Sequence, residues 1–76
     1  MKTEYYYKTV DDVFVFGDGT RVKGPEASLT LRKKQKRGID VVRVYLDDAE
    51  GWEILKAHFP ASLWQGKSWQ EVYFDV

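Results

Sequence analysis

Residues 13–23 read as a β-hairpin and as little else. Val13-Phe14-Val15-Phe16 is a run of β-branched and aromatic residues, which favour a pleated surface. Gly17-Asp18-Gly19 then supplies residues that tolerate positive φ, and Thr20-Arg21-Val22-Lys23 returns. Whatever else the chain does, it must build a sheet around this hairpin. The tyrosine-rich stretch Glu4 to Val10 reads as the preceding strand, ended by Asp11-Asp12.

Gly24-Pro25 breaks the run, because proline lacks the ladder donor and fixes its own φ. Beyond it, Ser28-Leu29-Thr30-Leu31-Arg32 and Val42-Arg43-Val44-Tyr45-Leu46 both alternate with period two. They flank Lys33-Lys34-Gln35-Lys36-Arg37-Gly38, so the pattern predicts a second hairpin with a basic tip. In the returning strand Val42, Val44 and Leu46 share one face, and Arg43 and Tyr45 the other.

Asp47-Asp48 marks a helix start, where a carboxylate accepts orphan backbone donors and suits the positive end of the dipole. Trp52, Leu55 and Phe59 follow at helical spacing, with Ile54 widening the stripe. Pro60 disfavours α geometry in the residue before it and stops the helix. Ala61 to Gln65 suits another short turn closed by Gly66. Trp69 to Val76 alternates again, with Val72, Phe74 and Val76 on one face and Trp69, Glu71, Tyr73 and Asp75 on the other. The expected fold is α+β over a single domain, residues 1–76. It has one antiparallel sheet of five or six strands in the order β-β-β-β-β-α-β, with one helix on one face.

A chain of 76 residues hides only about 60 % of its unfolded surface, and such scaffolds often need a staple. This one has no cysteine, which excludes disulfides and thiolate metal sites, and its one histidine, His58, makes no imidazole site alone. Its core must come from three Trp, five Tyr and four Phe. No cofactor is expected. No apolar run follows Met1, no stretch approaches the roughly 20 apolar residues of a membrane helix, and there is no Asn to glycosylate. A soluble cytoplasmic protein is the expectation.

Catalytic signatures are weak. Ser28, Ser62 and Ser68 sit in no nucleophile elbow, and His58 suits a helix C-terminus, where a cation meets the dipole. The pairs Asp11-Asp12 and Asp47-Asp48 sit where turns and caps want Asp. Gly66-Lys67-Ser68 resembles the end of a phosphate loop, but Ala61 stands where the motif needs glycine.

Charge is the least ordinary feature. The chain is neutral, yet residues 1–19 hold two bases against four acids, residues 20–45 eight against two, and residues 46–76 two against six. Such segregation speaks of partners rather than fold. Arg32, Lys33, Lys34, Lys36 and Arg37, continued by Arg43, form a candidate surface for phosphates or an acidic protein. The plain alternative is a solvated tip blunted against edge pairing by lysine. Trp69 and Tyr73, on the face opposite Val72 and Phe74, are candidate exposed anchors of a protein interface, or else they cover the second face of a small curved sheet. Asp47, Asp48, Glu50 and Glu53 form a secondary acidic patch, which a helix N-terminus also explains.

The expected function is non-enzymatic binding. A protein-interaction module or inhibitor, similar in size and composition to small phage-encoded inhibitors, comes first. A nucleic-acid-binding domain using residues 32–37 comes second, and a small enzyme third.

Overall fold

The computed structural model describes residues 2–76. Three strands open the chain: β1 (Lys2–Lys8), β2 (Val13–Phe16) and β3 (Arg21–Lys23). Helix α1 (Gly24–Lys36) crosses to β4 (Ile39–Arg43), and α2 (Ala49–His58), α3 (Ala61–Trp64) and α4 (Trp69–Phe74) complete the chain. The class is α+β with one sheet, as the sequence predicts. Among the described residues the sheet has four strands rather than five or six, and four helices replace the single one.

The strand order is β3-β2-β1-β4. β2 pairs antiparallel with both β1 and β3, so the hairpin read from residues 13–23 is present. Asp18 shapes its turn, accepting from the Thr20 N–H at 2.9 Å. β4 runs parallel to β1, with Tyr6 opposite Arg43, so the sheet is mixed rather than antiparallel throughout as expected. A parallel pair needs a crossover, which α1 supplies.

Residues 24–36 correct the expected second hairpin. Gly24-Pro25 does end a strand, but proline in the first turn also starts a helix, since its missing N–H has no partner there anyway. Glu26 sits in the first turn and Lys33, Lys34 and Lys36 in the last, each sign at the favoured end of the dipole. Ala27, Leu31 and Lys34 fall at helical spacing on the inward side, while Leu29 is 60 % exposed. The period-two alternation of residues 28–32 was a coincidence of a helix with one exposed leucine. A Cβ at Gly24 would meet the Asp12 carboxylate, an exposed side chain that would have to swing aside.

The final strand expected over residues 69–76 is also a helix. The Ser68 side chain accepts from the Glu71 N–H at 3.3 Å, and the Glu71 carboxylate accepts from the Ser68 N–H at 3.0 Å. This reciprocal capping box starts α4. Asp75 ends it in the left-handed conformation at φ 59°.

The sheet is covered on both faces. Tyr5 and Tyr7 point one way and Tyr6 the other, as alternation requires. On the first face Tyr7, Val15, Val44, Leu46, Leu55, Phe59 and Val72 form the main core, with Trp52 packed against it. Leu55 and Phe59 are buried, as their helical spacing predicts. The α2 N-cap is Asp48, and Phe59 leaves the helix in extended geometry before Pro60. On the second face α1 lies over Tyr6, Phe14 and Phe16, whose rings are 5.4–5.5 Å from Tyr6. No helix among the described residues is long and apolar enough to cross a membrane.

Candidate functional site

The parallel pairing brings the C-terminal ends of β1 and β4 together, and the chain then turns toward α2. Val44 and Leu46 are buried in this turn, while Tyr45 between them stays 55 % exposed. The first turn of α2 lies directly on the Tyr45 backbone, so closely that a Cβ at Gly51 would collide with the Tyr45 carbonyl. α4 approaches the same place with Trp69 and Tyr73, one helical turn apart and therefore on one side; both are half-buried against the core rather than exposed as expected, because α4 is a helix and turns Phe74 outward in their stead.

Between these elements lies a groove of about 320 Å³. Tyr45, Trp69 and Tyr73 are its aromatic walls, Lys8, Arg43 and Asp47 its charged rim, and Val44 and Leu46 its floor. The Arg43 guanidinium stands 4.6 Å from the Tyr45 ring centroid, a cation–π stack. Arg43 makes no ion pair among the described residues, and Lys8 is only loosely held, 3.5 Å from Asp12.

The basic residues of α1 lie elsewhere. The helix ends beside the start of β1, since Lys2 is opposite Ile39. That is the far end of the sheet from the groove. Four of its cations, Arg32, Lys33, Lys36 and Arg37, are exposed and make no ion pair among the described residues. Lys34 is turned into the fold and only 7 % exposed. Its ammonium sits 2.8 Å from Glu4 and 2.9 Å from Asp18, above the Phe16 ring. Burial disfavours the Lys34 charge, but the two carboxylates outweigh it and raise its pKa. Burial likewise opposes the Asp18 charge, and Lys34 and the Thr20 N–H outweigh it, bringing Asp18 down to about 2.

Sequence reasoning therefore grouped side chains that the fold separates. Arg43, Trp69 and Tyr73 converge on the groove. Arg32, Lys33, Lys36 and Arg37 form a second surface, and Lys34 is a structural clamp joining α1 to β1 and the β2–β3 turn. The acidic set divides too. Asp47 reaches the groove rim, Asp48 caps α2 by accepting from the Glu50 N–H at 3.1 Å, and Glu53 pairs with Lys56 at 2.9 Å. Asp48 and Glu50 border an adjoining trough beside β4, of about 270 Å³, that shares Arg43, Val44 and Tyr45 with the groove and also takes in Val42 and Ile54.

Tyr45 and Lys8 belong to the groove and were not singled out from the sequence. Tyr45 was recoverable, because alternation places it on the Arg43 face; nothing local marks Lys8. Elsewhere, burial pushes the Tyr7 hydroxyl up to about 12. His58 ends α2 with its ring 4.7 Å from that of Tyr5. Among the described residues, no three of His, Asp and Glu converge as a metal site. No known protein family, curated protein or solved structure matches the chain.

Proposed function

We propose that this chain is a non-enzymatic protein-binding domain, an interaction module or inhibitor, that docks its partner in the groove between β4 and α4. The observation that carries this is the convergence of Tyr45, Trp69 and Tyr73 with an unpaired Arg43 around one concave surface. Aromatic side chains and arginine supply most of the energy at protein interfaces. Rim charges of both signs, Lys8 and Arg43 against Asp47, suit a polar boundary that sets partner and register. The comparison with small phage-encoded inhibitors rests on size and composition, and a cytoplasmic site of action belongs to this proposal. Selection from a displayed random-peptide library against the immobilised domain tests it. Enriched peptides should lose at least about tenfold in affinity for Tyr45→Ala or Arg43→Ala, exposed truncations that leave the core alone. Enriched peptides that bind both variants unchanged would place the binding surface elsewhere.

A second reading rests on the separate surface of α1, where Arg32, Lys33, Lys36 and Arg37 stand free of carboxylates. Four cations on a helix end could grip a nucleic-acid backbone. A mobility shift with short DNA and RNA at about 150 mM salt decides, since even non-specific binders reach roughly 10⁻⁴–10⁻⁶ M near there. We expect little or no shift; a clear one that weakens, and whose salt dependence flattens, when the four cations become Gln favours the second reading.

A further inference from the structure

β4 is an open edge of the sheet, and its backbone is prepared for another strand. The Val44 N–H donates to the Tyr6 carbonyl, and Tyr6 is the register partner of Arg43. Along a strand the backbone groups alternate in direction, so Val42 and Val44 face β1 while Ile39, Val41 and Arg43 point their N–H and C=O outward. Those outward groups have no backbone partner among the described residues. Of the usual protections this edge carries only charge, at Asp40 and Arg43: Ile39-Asp40-Val41-Val42-Arg43 contains no Pro, Gly or Lys. Val42 is 39 % exposed, and the trough of about 270 Å³ runs beside it. The opposite edge, β3, is only three residues long and is tied by Arg21 to Asp75 at 2.9 Å.

What flanks β4 identifies the occupant. The basic turn with Lys36 and Arg37 immediately precedes it, and the acidic stretch Asp47, Asp48 and Glu50 immediately follows. A strand with basic residues before it and acidic residues after it is complementary to itself when reversed. We infer that the chain forms a two-fold dimer by antiparallel pairing of β4 with β4 of a second copy. Pairing centred on Val41 keeps each side chain on its own face and uses every outward group, for roughly six inter-strand hydrogen bonds. Val42 of one copy then approaches Val42 of the other diagonally and is covered. Beyond the paired strands, the basic turn with Lys36 and Arg37 comes toward the second copy's acidic stretch that starts at Asp47. The continuous sheet has eight strands, and the charge segregation of a neutral chain becomes the device that sets strand direction. Parallel pairing would set base beside base and acid beside acid.

Sedimentation equilibrium on the whole chain tests this, up to about 200 µM protein, where mass action favours association. The wild type should dimerise, more weakly as salt rises. Val41→Pro removes an outward N–H and a half-buried valine side chain but no donor of the ladder to β1, so it should stay folded by circular dichroism and weaken the dimer at least about tenfold. Lys36→Glu with Arg37→Glu should be monomeric, as should Asp47→Lys with Glu50→Lys, and an equimolar mixture of these two double variants should recover dimers. A monomeric wild type overturns the inference, as does a dimer indifferent to Val41→Pro in a folded variant. A dimer whose charge-reversed halves fail to recover each other overturns the antiparallel arrangement.

Discussion

The two ends of the sheet carry their charge in opposite ways. At the end where α1 stops, Lys34 is buried between Glu4 and Asp18, and the charge holds three elements together. At the end where β1 and β4 stop, Arg43 is stacked on Tyr45 with no carboxylate partner, and Lys8 is held at 3.5 Å. A charge fully engaged inside the fold has nothing left to offer a partner. A charge resting on aromatic rings at the surface keeps its hydrogen-bond donors free. The comparison separates residues that hold the fold from residues available for recognition, although all of them looked alike as entries in a net charge.

The largest expected effect lies between the ends. Phe59→Ala should cost roughly 3–5 kcal/mol by chemical denaturation, because Phe59 is buried in the core and packs on Tyr7 at 5.4 Å between centroids. Both ends should then melt together in one transition. Separate transitions reported by Trp69 and by the α1 end would break the comparison, since the ends would be independent units.

Next comes Lys34→Met, at about 3 kcal/mol, since it leaves Glu4 without its counter-charge in a site where removing one partner is expensive. Adding Glu4→Gln should recover part of that loss, and a double-mutant cycle with no coupling would show that the clamp is not one unit.

Acid should loosen this end selectively. The Asp18 carboxyl is held down to about 2, below its unfolded value near 4, so its contribution is complete above about pH 4 and is lost as the pH falls toward 2. At high pH the sign reverses. Tyr7 is raised to about 12, so the fold favours its neutral form, and that stability is lost as the pH rises from about 10 toward 12. Lys34, also raised, contributes below its unfolded pKa and is lost in the same alkaline direction. Urea midpoints against pH check both limbs, and Asp18→Asn should flatten the acid one.

The smallest expected effect is at the exposed cations. Arg32→Gln and Lys33→Gln should each change stability by less than about 0.5 kcal/mol, as surface substitutions without partners do. A larger loss would mean that these residues, too, hold the fold.

The hairpin of residues 13–23, the α2 cap at Asp48 and the buried Leu55 and Phe59 were legible, because turn chemistry and helical spacing are local signals. The strands expected over residues 28–32 and 69–76 were not. Leu29 and Leu31 alternate, yet Leu29 is solvent-exposed on a helix whose inward row ends in a lysine, so no apolar stripe announced it. The Ser68–Glu71 capping box was in plain view and outweighs the alternation of Val72, Phe74 and Val76. Of the site, Trp69, Tyr73 and Arg43 were named from the sequence, but their convergence depends on the β1–β4 pairing across a helical crossover, which is a long-range fact. Lys34 could not be told from its neighbours without its partners, which lie 30 and 16 residues away.

The central claim, that recognition happens at the aromatic end, is tested most directly by amide and indole NMR of the folded domain during titration with a library-selected peptide. The account predicts that the Trp69 indole and the amides of Arg43, Tyr45 and Tyr73 shift, while those of residues 32–37 stay still. Shifts confined to residues 32–37, with the Trp69 indole unmoved, would contradict it.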